Sequence, residues 1–210
     1  MRVSYPQRMS CTRPERDYEL VQIVDAALGE AGRKAGQWLV CRPGCTQCCV
    51  GAFPINALDA VRLRAGLEEL RRSDSQRAQR VQSRAHEYLA RVAARFPGDP
   101  DTGILLDSEK AQQNFATFAD DEMCPALDPE TGTCDLYQYR PITCRVFGPP
   151  VRNEDGSLGI CELCFHGATD EQIAGCEMKP DPADLETKIL AEMAEGEEQG
   201  NTIVAFVLVS

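Results

Sequence analysis

Val40-Cys41-Arg42-Pro43-Gly44-Cys45-Thr46-Gln47-Cys48-Cys49 puts four cysteines at C-x3-C-x2-C-C spacing. Pro43 and Gly44 break any helix here and let the backbone turn back, so several sulfurs can converge. Thiolates crowded in this way serve either as ligands for zinc and iron or as partners in a disulfide framework. Pairing cannot be complete, because the chain has eleven cysteines, an odd number. Its N-terminal residues, Met1 to Ser10, lack the apolar core of a secretory signal. A cytoplasmic, reducing location is therefore expected, and with it metal binding in preference to disulfides.

Working outward, the 210 residues allow a single domain with appendages and a sizeable core. Hydrophobic content of 43% with 26% charged residues excludes wholesale disorder. The net charge of −11 disfavours nucleic acid and anionic membranes as partners. No apolar run approaches the about eighteen residues needed to span a bilayer. The longest, Ile203 to Val209, reads as a possible short C-terminal strand.

Before the cysteine loop, residues 1–13, with Cys11, read as a flexible arm. A helix is expected from Pro14, with Leu20, Ile23, Val24, Ala27, Leu28 and Ala31 on one face and Gly32 and Gly36 at its end. Trp38-Leu39-Val40 reads as an extended entry into the loop. After the loop, Asn56 and Asp59 mark the start of a helix that runs to Ser73. A second helix follows from Gln76 to Phe96, with Val81, Ala85, Tyr88, Leu89, Val92 and Phe96 inward and arginines on a solvated opposite side. The two make an antiparallel helical hairpin. His86 lies on its second helix with no cysteine near it in sequence.

A short helix is expected from Ser108 to Phe118, and another beyond Pro182 with Leu185, Ile189 and Met193 on its face. Between them, Cys124 to Cys176 holds six cysteines among prolines and glycines. Such loops bury little apolar area, and a bound metal can supply the missing order, roughly 10–16 kcal/mol for a structural zinc. The fold class is thus mainly α: a helical hairpin plus a cysteine-rich, loop-dominated metal-binding lobe. Residues 14–210 are expected to form one metal-binding domain, with a cysteine core at about 38–176.

The downstream segment carries a specific pattern: Cys124-Pro125-x-Leu127, then Cys134-x-x-Tyr137-x-x-Arg140-Pro141-x-x-Cys144-Arg145. With Cys41, Cys45, Cys48 and Cys49 it resembles the CxxCxxCC family of zinc- or iron-chelating cysteine-cluster proteins. The departure is the first gap, three residues where the family name has two. The resemblance implies a metal or iron–sulfur site held by Cys41, Cys45, Cys48, Cys49, Cys124, Cys134 and Cys144. A flagellin lysine methylase carries a similar cluster, so a methyl-transfer or electron-transfer iron–sulfur enzyme stands as the alternative to a structural or metal-handling role.

Seven thiolates exceed what one tetrahedral zinc or one cubane cluster takes. Either cysteines are left over or there are two sites. Adjacent Cys48 and Cys49 point apart and rarely share one small ion. Cys161 and Cys164 form a C-x2-C hook and join the candidate ligands, His166 reads as a surface residue, and Cys176 has no partner at ligand spacing. Arg140 and Arg145 either hydrogen-bond the sulfurs or pair with acidic side chains. Tyr137 and Tyr139 read as packing around the site. The complement of the first loop is expected downstream, at Cys124 to Cys144, so that the site closes across the hairpin. No phosphate-binding loop, dinucleotide fingerprint or nucleophile elbow occurs in the chain.

Overall fold

A computed structural model describes residues 13–153, 155–194 and 200–209; Cys11 and the arm at 1–12 lie outside them. In chain order the helices are α1 (Glu15–Ala35), α2 (Ala57–Ser73), α3 (Ser75–Val92), α4 (Glu109–Phe115), α5 (Ile142–Val146), α6 (Asp170–Gly175), α7 (Leu185–Met193) and α8 (Val204–Leu208). The strands are β1 (Gly98–Asp99), β2 (Ile104–Leu105), β3 (Leu127–Asp128), β4 (Thr133–Cys134), β5 (Val151–Arg152) and β6 (Leu158–Gly159). They form three antiparallel pairs, β1–β2, β3–β4 and β5–β6. The fold is mainly α, as the sequence indicates.

The chain divides into two compact units. The first takes Gly44–Pro141 and the C-terminal segment from Ala194; the second takes Pro14–Pro43 and Ile142–Met193.

The first unit is built on the helical hairpin. Asn56 caps α2 by accepting the Asp59 amide at 3.0 Å, and the single residue Asp74 both ends α2 and caps α3. The start of α2 is buried all round, from Ala57 to Leu63, as expected of a central helix rather than a surface one. That burial takes in Asp59 and the fully buried Arg62, which pair one helical turn apart. Helix α3 is one-sided, with Ala78, Val81, Ala85, Tyr88, Leu89 and Val92 inward.

The last apolar run, Ile203 to Val209, fills the hairpin as helix α8 rather than as a strand. Extended pairing belongs to the residues just before it: the Thr202 amide and carbonyl bond to Ile55 at 2.9 and 2.8 Å, and the Asn201 carbonyl accepts the Leu105 amide at 2.8 Å. A continuously apolar run has no period, so buried helix and buried strand look alike in sequence. Phe206 of α8 meets Phe96 at 4.8 Å between ring centroids, and Phe96 meets Phe118 edge-on at 5.7 Å. Helix α4 stops at Phe115, earlier than its pattern suggests; Phe118 beyond it is buried.

The second unit packs α5 and α7 on α1. Helix α1 runs past Gly32 to Ala35 and ends where Gly36, at φ +52°, turns its amide back to the Gly32 carbonyl. Leu20, Val24 and Ala31 are buried, while Ile23, Ala27 and Leu28 are half-buried. Gly36–Trp38 is a 3₁₀ turn, so the chain becomes extended only at Leu39.

Candidate metal centre

The cysteines divide between the units. Cys45, Cys48, Cys49, Cys124 and Cys134 belong to the first; Cys41, Cys144, Cys161, Cys164 and Cys176 belong to the second. Cys45, Cys48, Cys49, Cys124, Cys134, Cys164 and Cys176 are in no disulfide.

In the first unit the loop after Gly44 meets the downstream segment by backbone pairing. Val50 bridges Met123 antiparallel, the Cys124 amide donates to the Cys49 carbonyl at 2.7 Å, and the Gly51 amide donates to Glu122 at 2.9 Å. A 3₁₀ turn at Gln47–Cys49 presents Cys48 and Cys49. Cys134 sits on β4 opposite Leu127 of β3. The β3–β4 turn lies under the loop, since a Cβ at Gly132 would stand 3.6 Å from the Gly44 Cα and 3.9 Å from Thr46. Cys45 lies between Gly44 and Thr46. Within the first unit, residues 49–51 thus meet residues 122–124 by backbone pairing; Cys41 and Cys144, expected in the same set, belong to the second unit.

Backbone amides and Arg140 lie near these sulfurs. Burial pushes the Cys124 thiol up to about 12, and nearby Cys134 adds to this, while the Ala126 and Leu127 amides near it work against it; the Leu127 amide itself donates to the Cys124 carbonyl at 3.0 Å. Burial also raises Cys134; the Leu136 amide near it and the charge of Arg140 oppose this. The Cys49 thiol donates to Cys48, which pulls the Cys48 thiol below its ordinary value with further help from Arg140, and holds Cys49 protonated. N–H groups and a guanidinium near sulfur are what a sulfur-rich metal shell uses to offset its charge. Among the described residues no three Cys, His, Asp or Glu side chains already surround a common ion position.

Three arginines of α3, spaced seven apart, hold this segment in place. Arg91 clasps Glu122 with Nε at 3.0 and 3.1 Å and Nη2 at 2.8 Å. Arg84 donates from Nε to the Pro125 carbonyl at 2.9 Å and from Nη2 to Asp135. Arg77 also pairs with Asp135, whose side chain is 1% exposed. The arginine side of α3 is therefore not simply solvated: it fixes the residues next to Cys124 and Cys134. Their seven-residue spacing was visible in the sequence, but nothing there named Asp135 as their target.

The two family arginines part ways. Arg140 stacks on the Tyr137 ring at 3.8 Å and acts on Cys48 and Cys134. Arg145, in the second unit, binds both Asp25 oxygens from Nη1 at 2.8 and 2.9 Å. Tyr139 packs on Gly66 of α2, where an added Cβ would fall 2.4 Å from its ring. His86 and His166 are both exposed.

Residues 40–164, more than half of the chain, match the family CxxCxxCC, described as "Putative zinc- or iron-chelating domain". The chain belongs to this family. The CxxCxxCC match begins one residue before Cys41 and ends on Cys164, leaving Cys176 outside. No curated protein and no protein of solved structure matches the chain. Among the described residues, no helix is long and apolar enough to cross a membrane.

Proposed function

We propose that the first unit chelates a zinc or iron ion through Cys45, Cys48, Cys124 and Cys134, in a structural or metal-handling role. Cys49 serves beside them as the thiol that donates to the Cys48 sulfur. The observation that carries this is the backbone pairing that joins the two cysteine segments, through the antiparallel Val50–Met123 bridge and the Cys124 amide on the Cys49 carbonyl. Backbone N–H groups near the sulfurs would spread the negative charge that several thiolates place on a divalent ion. Bound metal would replace the protons of buried thiols and join two segments separated by the whole hairpin, so binding contributes directly to folding.

Arg140 offsets the remaining charge from its stacked position on Tyr137. Arg77 and Arg84 keep Asp135, and through it Cys134, in register. A site built from sulfur alone is typically closed and structural, whereas hydrolytic zinc sites use histidine and carboxylate. Both histidines are exposed, in keeping with the first kind.

The test is metal analysis of protein purified without oxygen, for wild type and Cys134→Ala. Loss of bound metal together with loss of protease resistance supports the assignment. Wild-type metal content in the variant overturns it. Colour identifies the group: a colourless protein with stoichiometric zinc fits a lone ion. A brown protein with iron and sulfide replaces that ion with an iron–sulfur cluster, and brings back the methyl-transfer or electron-transfer enzyme.

A further inference from the structure

We infer that the Cys161–Cys164 turn of the second unit is a dithiol that oxidises reversibly to an internal disulfide, with a small-molecule disulfide as electron acceptor. This chemistry does not rest on the metal site proposed for the first unit.

One tight turn sets the pair. The Cys164 amide donates to the Cys161 carbonyl at 2.9 Å, and Glu162 and Leu163 form the bend between them. A turn closed in this way holds its end Cα atoms less than about 7 Å apart. A disulfide spans about 4.4–6.8 Å between Cα atoms, so the bond can close with little backbone movement. Cys164 is in no disulfide, so the pair stands reduced here. Cys176 packs in the same buried cluster, but it enters from the end of α6 and shares no turn with them. It stays a thiol.

Both members of the pair are 4% exposed, and a buried cysteine is often only an inert core residue. The setting of this turn argues for more. Ile160, Glu162 and Leu163, the residues flanking the two cysteines, are all exposed. The thiols therefore lie directly beneath the surface, and the lifting of a single turn uncovers them. Phe165, next in the chain, sits at φ +60°, a left-handed conformation that strains a bulky residue. It is held there by donating to the Trp38 carbonyl at 2.9 Å and accepting from the Ala168 amide at 3.1 Å. Opening of the turn relieves that strain.

Oxidation proceeds by two thiol–disulfide exchanges. One thiolate of the pair attacks the small-molecule disulfide, forming a mixed disulfide and expelling one small thiolate. The second thiolate attacks the mixed disulfide, which closes the Cys161–Cys164 bond and expels the other. The pair gives up two electrons and two protons, and the small disulfide leaves as two thiols.

Trp38 is the only tryptophan in the chain and packs against this cluster; a nearby disulfide quenches indole emission. Full-length protein is equilibrated with graded ratios of oxidised to reduced glutathione, quenched in acid and alkylated, and its thiols are mapped by mass spectrometry. Wild type should form the Cys161–Cys164 bond with Cys176 alkylated, and Trp38 emission should fall and then recover in reduced glutathione. Cys176→Ser should behave alike, and Cys164→Ser should lose both the bond and the quenching. Alkylation of both Cys161 and Cys164 in native wild type under oxidised glutathione alone overturns the inference. So does a bond from either one to Cys176. Repetition with saturating zinc separates this chemistry from ligation: an unchanged bond supports the dithiol, and zinc that blocks it makes the turn a ligand pair and overturns the proposal. Where a variant fails to fold, the wild-type measurements decide.

Discussion

Asp135 shows how one side chain links the core to the candidate ligands. Its carboxylate is buried against Arg77 and Arg84 while its own neighbour, Cys134, faces the cysteine cluster. Asp135→Ala leaves two guanidinium groups without their acceptor and frees β4. The expected loss is on the order of 3 kcal/mol, because Arg77 and Arg84 can still reach water. Denaturant unfolding of the metal-free chain measures it; a loss under about 1 kcal/mol would make the clamp an ordinary surface pair. Cys124 sets a pH dependence. Its thiol is raised from 9.0 to about 12 in the folded chain, so folding favours the protonated form. That stability is complete below pH 9.0 and is lost as the pH climbs toward about 12. Bound metal reverses the preference by taking the thiolate. Thermal unfolding across this alkaline range should therefore show the metal-free chain weakening while the metal-loaded chain holds. Parallel curves for the two would remove Cys124 from the ligand set.

The helical hairpin decides where the cysteine segments go. Helix α3 carries the arginines that grip residues 122–135, and α2 offers Gly66 as the flat spot on which Tyr139 rests. Gly66→Ala brings a gain in helix propensity of about 1 kcal/mol. Against this, a Cβ 2.4 Å from the Tyr139 ring forces the Tyr137–Tyr139 turn off the helix. The clash wins, since the ring is bulky and its backbone is tied by the Tyr139 amide to Leu136 at 2.8 Å. The variant is expected to melt lower than wild type and to bind metal more weakly, as Arg140 and Cys134 move with that turn. A higher melting temperature would show that the turn yields freely. Much of this hairpin was legible: the Asn56 cap, the break at Asp74 and the inward face of α3 each have a local signature. The use of its arginine side was not, because seven-residue spacing defines a stripe without saying what lies against it.

Across the whole molecule, apolar burial and cysteine chemistry fall to different segments. The packing of α2, α3 and α8 uses Leu63, Leu67, Val81, Ala85, Val207 and Leu208, with Cys124 and Cys134 only at its margin. Metal removal by a chelator should accordingly spare most of the helical far-UV signal. Amide exchange should rise first at 44–53 and 122–136, where few apolar contacts compensate. Loss of helix in step with loss of metal would mean that the hairpin itself depends on the site. The sequence alone determined the mainly α class, the hairpin and the family, because caps, helical periodicity and cysteine spacing are local patterns. Only the tertiary structure decided that Ile203–Val209 is a helix, since an unbroken apolar run has no period to distinguish it from a strand. Only the fold, too, divided the cysteines between the two units. Val40–Cys49 reads as one four-cysteine loop, yet the unit boundary falls between Pro43 and Gly44. Cys41 goes with Gly148, while Cys49 pairs with Cys124. Which unit each cysteine joins depends on long-range backbone pairing and packing, and neither leaves a trace in local spacing.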